Sequence, residues 1–235
     1  MDEHEAFRKQ TEYYRDNAES YDQSGFEGIV FALFLLEGFL KRSGCKTVLD
    51  VGSGTGRALL EMSNSFPDLD VIGIEPNDRM RAVGHKKGIP QDRLIYGDAA
   101  KLQFANDSFD LVTEFGVLHH VPNPNIVVQE MVRVAKRGVF LCDSNNWGQG
   151  SLPVRVAKQL LRNLGVWDLA TRLTTRGRWY KYSEGDGIYY SFSLYDTLSV
   201  IQKKFPKVYV MNSDAPRIVY SGIFQAPGIC VLAIN

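Results

Sequence analysis

Cysteine is scarce in this chain, with three residues in 235, at Cys45, Cys142 and Cys230. They are far apart and odd in number. Neither a CxxC redox pair nor a disulfide framework can be built from them, and a reducing, cytoplasmic setting is expected. Net charge of either sign is also missing. The 27 Lys and Arg balance the 27 Asp and Glu, so no global charge points to nucleic acid or an anionic surface as partner. Long apolar runs are lacking too. The longest, Ile29–Leu40, is about 12 residues and contains Glu37, too short to span a bilayer, so stable membrane insertion is not expected. Met1-Asp2-Glu3 lacks the basic opening of a secretion signal. No group of Cys, His and carboxylates has metal-ligand spacing, and no metal is expected. Internal repeats and low-complexity tracts are absent. The oligomeric state is left open.

What remains is ordinary globular composition, 44% apolar and 23% charged. That is enough to bury a large core, in one domain over residues 1–235 that carries an insertion. Five short apolar runs occur in order: Val48–Val51, Val71–Glu75, Arg93–Tyr96, Phe109–Thr113 and Val139–Cys142. Helical patterns alternate with them, including Val127–Ala135. Strands and helices at this spacing predict right-handed βαβ units and a doubly wound, Rossmann-like α/β fold. A helix over Leu194–Lys204 and strands over Lys207–Met211 and Ile229–Ile234 complete a seven-stranded sheet, its last strand antiparallel. Ile29–Leu40 is apolar on nearly every side and predicts a helix buried between other elements. Residues 145–190 break the rhythm and hold no strong strand. Pro153–Leu164 is amphipathic, with Val154, Ala157, Leu160, Leu161 and Leu164 opposite Arg155, Lys158 and Arg162. This stretch is expected to be a mostly helical lid over the ligand face.

The first strand feeds directly into Gly52-Ser53-Gly54-Thr55-Gly56-Arg57. Glycines at a strand-to-helix junction let the chain turn sharply and a ligand approach the backbone. A dinucleotide fingerprint, G-x-G-x-x-G, would need glycine where Arg57 stands. An acid, Asp50, precedes the loop by two residues. Glu75 ends the second strand about 20 residues on, where a carboxylate can accept from both hydroxyls of a ribose. Asp98 follows the third strand, where an acid can accept from an adenine amino group. Singly, each acid reads as a cap or turn residue; in succession at strand ends, they read as a site.

These segments, with Phe104–Val112 and Val117-Leu118-His119-His120-Val121, resemble the class I S-adenosylmethionine-dependent methyltransferases. The resemblance is strongest to the branch holding the ubiquinone and menaquinone methyltransferases and many small-molecule enzymes. It covers residues 10–145 well, 191–235 as topology only, and 146–190 not at all. It implies that Gly52, Ser53 and Gly54 lie against the methionine and ribose of the cofactor, and that Asp50 orders the loop near the ligand's amino group. It implies that Glu75 holds the ribose, that Pro76 and Met80 pack beside adenine, and that Asp98 and Ala99 read its amino edge. Glu114 and Phe115, just past the fourth strand, would meet the methionine end. Residues 1–25 would close over the cofactor, Tyr14 and Tyr21 bonding its carboxylate. The implied reaction is methyl transfer to a small molecule, giving S-adenosylhomocysteine. An NAD(P)-dependent oxidoreductase and a non-catalytic cofactor-binding protein are the rival readings.

A hydroxyl or amine acceptor must also lose a proton. His119 and His120 are the candidate bases, because imidazole titrates near neutrality. Oxygen is the first choice of acceptor atom, on the frequency of oxygen acceptors and not on any residue. Between Ser151 and Tyr182 lie seven cations and one acid, Asp168, a net of six positive charges. An anionic acceptor is therefore expected, met by Arg176 and Arg178. Trp147, Tyr189 and Tyr190 are candidates for its pocket wall, with Arg217 and Tyr220 between the last two strands.

Overall fold

The order of elements is α1 (Glu3–Asn17), α2 (Glu27–Ser43), β1 (Thr47–Val51), α3 (Arg57–Ser65), β2 (Asp70–Ile74), α4 (Asp78–Lys86), β3 (Leu94–Ile95), β4 (Phe109–Phe115), α5 (Pro124–Val134) and β5 (Ala135–Ser144), followed by α6 (Leu152–Asn163), α7 (Trp167–Thr174), β6 (Tyr180–Ser183), β7 (Gly187–Tyr190), α8 (Leu198–Ile201), β8 (Lys207–Asn212) and β9 (Gly228–Ile234). The computed structural model describes residues 3–23, 27–175, 177–213 and 225–235. Arg176, Arg217 and Tyr220 lie outside them.

Seven strands form one sheet in the order β3-β2-β1-β4-β5-β9-β8. The first five run parallel, and β9 is antiparallel to both its neighbours. The central strands are covered on both faces, which is why residues 48–51 of β1 are apolar except for Asp50. On one side Leu49, Val51 and Val112 pack with Val128 and Met131 of α5. On the other Val48, Leu111 and Phe140 pack with Leu36 of α2 and Leu59 and Met62 of α3. Each fully buried aliphatic or aromatic side chain here contributes about 1.5–3 kcal/mol. Strand order reverses between β1 and β4, and this opens a crevice at the strands' C-terminal ends. Among the described residues no helix is long and apolar enough to cross a membrane.

Four expectations are corrected. β4 extends through Glu114 and Phe115, so both lie within the strand. α2 is not wrapped on all sides: Ala32, Leu33, Leu36 and Leu40 are buried, but Val30 and Phe34 are exposed. The expected Leu194–Lys204 helix is a 3-10 turn over Leu194–Thr197 followed by the single turn of α8. There Thr197 Oγ1 donates back to the Leu194 carbonyl at 2.8 Å, an alternative to regular helix. Finally, β6 and β7 form an antiparallel hairpin inside the stretch read as strandless. Its three-residue loop Glu184-Gly185-Asp186 leads into Gly187 at φ 70°, a conformation that favours glycine.

Candidate cofactor and acceptor site

A cavity of about 570 Å³ occupies the crevice. Its floor is main chain: Gly52 and Gly54, both at positive φ, line it without side chains. A β-carbon on Gly52 would meet Val117 Cγ2 at 2.4 Å, so close packing alone demands glycine there. Ser53 and Asp50 stand behind the loop and do not line the cavity. Ser53 Oγ donates to Asp50 Oδ2 at 2.5 Å, and Thr113 Oγ1 donates to Asp50 Oδ1 at 2.9 Å. Burial pushes the Asp50 carboxyl up to about 6, against those two hydrogen bonds.

Glu75 lines the wall with Pro76, Met80, Asp98, Ala99 and Tyr96. Its Oε2 accepts from Gly54 N at 3.0 Å and its Oε1 from Asn77 N at 2.8 Å. The carboxylate therefore shapes the loop, and each oxygen keeps a lone pair for a ligand hydroxyl. Burial raises it to about 7 despite both amides. Tyr14, Tyr21 and Phe115 also line the cavity. Tyr14 and Tyr21 meet edge to face at 5.9 Å. Burial lifts both phenols, Tyr21 to about 12, so each remains a neutral hydroxyl donor. Glu114 lies behind this wall, fully buried. Its Oε2 accepts from Val117 N at 3.1 Å, while Oε1 has no partner among the described residues. Burial and the nearby Asp143 push this carboxyl well above its ordinary value.

The two histidines part company. His120 lines the large cavity. Its Nδ1 is 2.6 Å from the Ile188 carbonyl and 3.1 Å from Gln10 Nε2. His119 lines a second cavity of about 290 Å³ with Ser144, Asn146, Lys158, Lys181, Tyr189 and Asp186, among others; Tyr190 lines both cavities. His119 Nδ1 is 2.6 Å from Asp143 Oδ1, and Nε2 is 3.3 Å from Asp186 Oδ2. Burial opposes its charge, but these two carboxylates outweigh burial and raise it to about 10. Asp143, although buried, is held low by His119. It also accepts from Leu118 N at 2.7 Å, which fixes the turn that carries both histidines.

Trp147 does not reach either cavity. Its Nε1 donates to Asp196 at 3.3 Å, and Arg162 stacks 4.8 Å from its ring, so it pins the start of the 145–190 segment to the body. Arg178 lies in a separate recess beside Trp167 and Trp179. Asp143, Asp186, Lys158 and Lys181 were not anticipated. Asp143 obeys the same strand-end rule as Glu75 and Asp98, and Asp186-Gly187 is a strong hairpin signal, so two of the four were open to detection.

Residues 49–142 match the family model described as "Methyltransferase domain". Over that segment, less than half of its length, the chain is similar to methyltransferase domains. The curated relatives include a demethylmenaquinone methyltransferase of Roseiflexus sp. (strain RS-1), 38% identical over 96 residues, 40% of each protein. Another, of Staphylococcus aureus (strain JH9), is 37% identical over 117 residues, 48% of this chain and 47% of that one. The chain thus matches less than half the length of these relatives. Among solved structures, a SAM-dependent methyltransferase from Thermotoga maritima superposes with TM-score 0.59 at 16% identity, covering 96% of this chain and 99% of that one. Phosphoethanolamine N-methyltransferase 2 of Haemonchus contortus, bound to phosphomonomethylethanolamine and S-adenosylhomocysteine, gives 0.54 at 17% identity over 84% and 51%. At these identities the superpositions speak for the fold. The cavity has the features that S-adenosylmethionine requires: bare main chain, one buried carboxylate with lone pairs to spare, an apolar slot beside an acid, and two neutral phenols.

Proposed function

We propose that the protein transfers a methyl group from S-adenosylmethionine to a small anionic acceptor seated in the smaller cavity. Support comes from one juxtaposition: His119, backed by Asp143, opens into a polar chamber that also holds Lys158 and Lys181 and shares Tyr190 with the cofactor cavity. Glu75 would hold the ribose, Asp98 and Ala99 the adenine edge, and Tyr14 and Tyr21 the carboxylate, with α1 closing that side. Asp50 and Ser53 act on the loop from behind. The 145–190 segment supplies the acceptor wall.

When bound, the sulfonium supplies an electrophilic methyl group. Alignment and exclusion of water carry much of the barrier reduction, and both follow from the enclosed walls. The remaining task is the acceptor's proton. A hydroxyl acceptor would release it to His119 Nε2, with Asp143 holding Nδ1–H and the tautomer. In the present arrangement Asp143, and after it Asp186, keep His119 charged. An anionic acceptor that displaced Asp186 would have its own charge offset by Lys158 and Lys181, leaving Asp143 as the carboxylate that holds the imidazole proton and returning His119 toward a basic form. Oxygen is the acceptor atom this arrangement favours.

The test is a paired panel: hydroxylated metabolites with and without a carboxylate or phosphate, incubated with S-adenosylmethionine and read by product mass. Methylation confined to the anionic members is expected. Equal turnover of the neutral partners rejects the anionic reading, and cofactor binding with no methylation of any member favours a non-catalytic binding protein.

A further inference from the structure

Helix α6 is built inside out. Leu152, Val156, Leu160 and Leu164 recur every four residues, the spacing of one helix face. All four are exposed, Leu164 by 72%. The opposite, cationic face points inward. Lys158 Nζ donates to the Asn146 carbonyl at 2.8 Å, and Arg162 pairs with Asp196 at 2.8 Å. α7 repeats the pattern, burying Thr171 and exposing Leu169 and Leu173, the latter by 73%. A helix normally turns its apolar stripe to the core. Here two consecutive helices turn theirs to solvent and hold themselves on the body with polar contacts.

The residues around this face select its occupant. Trp179 is part-exposed, with the Arg172 guanidinium 3.8 Å from its ring centre. Arg178 and Lys181 are exposed nearby in sequence, and Asp168 is the only acid between residues 151 and 182. A second copy meeting this face would set Arg172, Arg178 and Lys181 against their own counterparts. An anionic lipid surface meets both features at once: leucines enter the acyl boundary while Trp and Arg sit at headgroup level. We propose that the outer faces of α6 and α7 dock the protein peripherally on anionic membranes, without spanning them.

Co-sedimentation with vesicles tests this. One set is phosphatidylcholine alone, and the other adds phosphatidylglycerol. The full chain should pellet with the anionic set and be released at 1 M salt, where the screening length is about 3 Å. The Leu160→Asp/Leu164→Asp variant should lower partitioning at least tenfold, and Arg172→Glu/Arg178→Glu at least fivefold per residue changed, since one surface cation is worth about that factor. Circular dichroism and binding of S-adenosylhomocysteine should be unchanged, because all four positions are at the surface. Failure to pellet with either vesicle set overturns the proposal. So does wild-type behaviour of the leucine variant, or a dimer in light scattering that the leucine substitutions dissociate.

Discussion

Residues 49–143 and residues 145–190 handle polarity in opposite ways. The first buries its acids one by one at strand ends, each tied to backbone amides or hydroxyls: Asp50 to Ser53 and Thr113, Glu75 to Gly54 and Asn77, Asp143 to Leu118 and His119. The second turns cations inward as anchors and leaves leucines in solvent. The first region is therefore a rigid, preorganised ligand cradle. The second rests on the body through a few polar contacts, and its apolar surface is available to something else. One chain can follow the usual burial rule where it binds a cofactor and invert it where it meets an acceptor or a surface.

Substitutions at the seam between the regions should have the largest effect. His119→Ala should lower methyl transfer by about 10²–10⁴-fold, the usual worth of a general base. Cofactor affinity by calorimetry should hold, because His119 lies outside the larger cavity. Equal loss of cofactor binding would erase the distinction between the two cavities. Within the first region, Glu75→Ala should weaken S-adenosylhomocysteine about 10- to 100-fold, as charge-assisted hydrogen bonds are lost. It also leaves the Gly54 and Asn77 amides unpaired, at a cost of about 1–3 kcal/mol by chemical denaturation.

Proton linkage sharpens the contrast further. Burial raises the Glu75 carboxyl from its ordinary 4.5 to about 7. The folded chain then keeps a proton that the unfolded chain has released. The Glu75 contribution to stability is complete at low pH and is lost as pH climbs from about 4.5 through 7. Denaturation of wild type and Glu75→Gln at pH 5 and pH 8 should show a larger fall in the wild type, the remainder in the variant belonging to groups such as Asp50. Cofactor affinity should rise over the same window, since ribose hydroxyls donate to the ionised carboxylate. The smallest effect belongs to Trp147→Phe. Loss of the indole bond to Asp196 should cost about 1 kcal/mol of stability and leave turnover within about twofold, because this ring lines neither cavity.

The difference between the regions also explains what was legible in the sequence. The glycine loop and the strand-end acids sit at positions set by backbone topology, so their order along the chain was enough to find Glu75, Asp98 and the crevice. The loop-facing roles of Asp50 and Ser53 depend on which way a side chain turns, and spacing does not encode that. The 145–190 segment misled more. Periodicity in Pro153–Leu164 shows that a helix has two faces and not which one is buried. The β6–β7 hairpin escaped because Tyr180–Tyr190 interleaves charge and glycine with its aromatics, although Asp186-Gly187 marked the turn. Arg178 and Trp147 were placed by charge and proximity in sequence, and the fold directs both away from the two cavities.

Calorimetric titration of the intact protein with S-adenosylhomocysteine, run beside NADH, tests the central claim that the crevice above β1, β2 and β3 is an adenosyl-sulfonium site. One saturable site for S-adenosylhomocysteine, weakened by Glu75→Ala, with no heat from NADH, is the predicted result. Tight binding of NADH with none of S-adenosylhomocysteine or S-adenosylmethionine would contradict it.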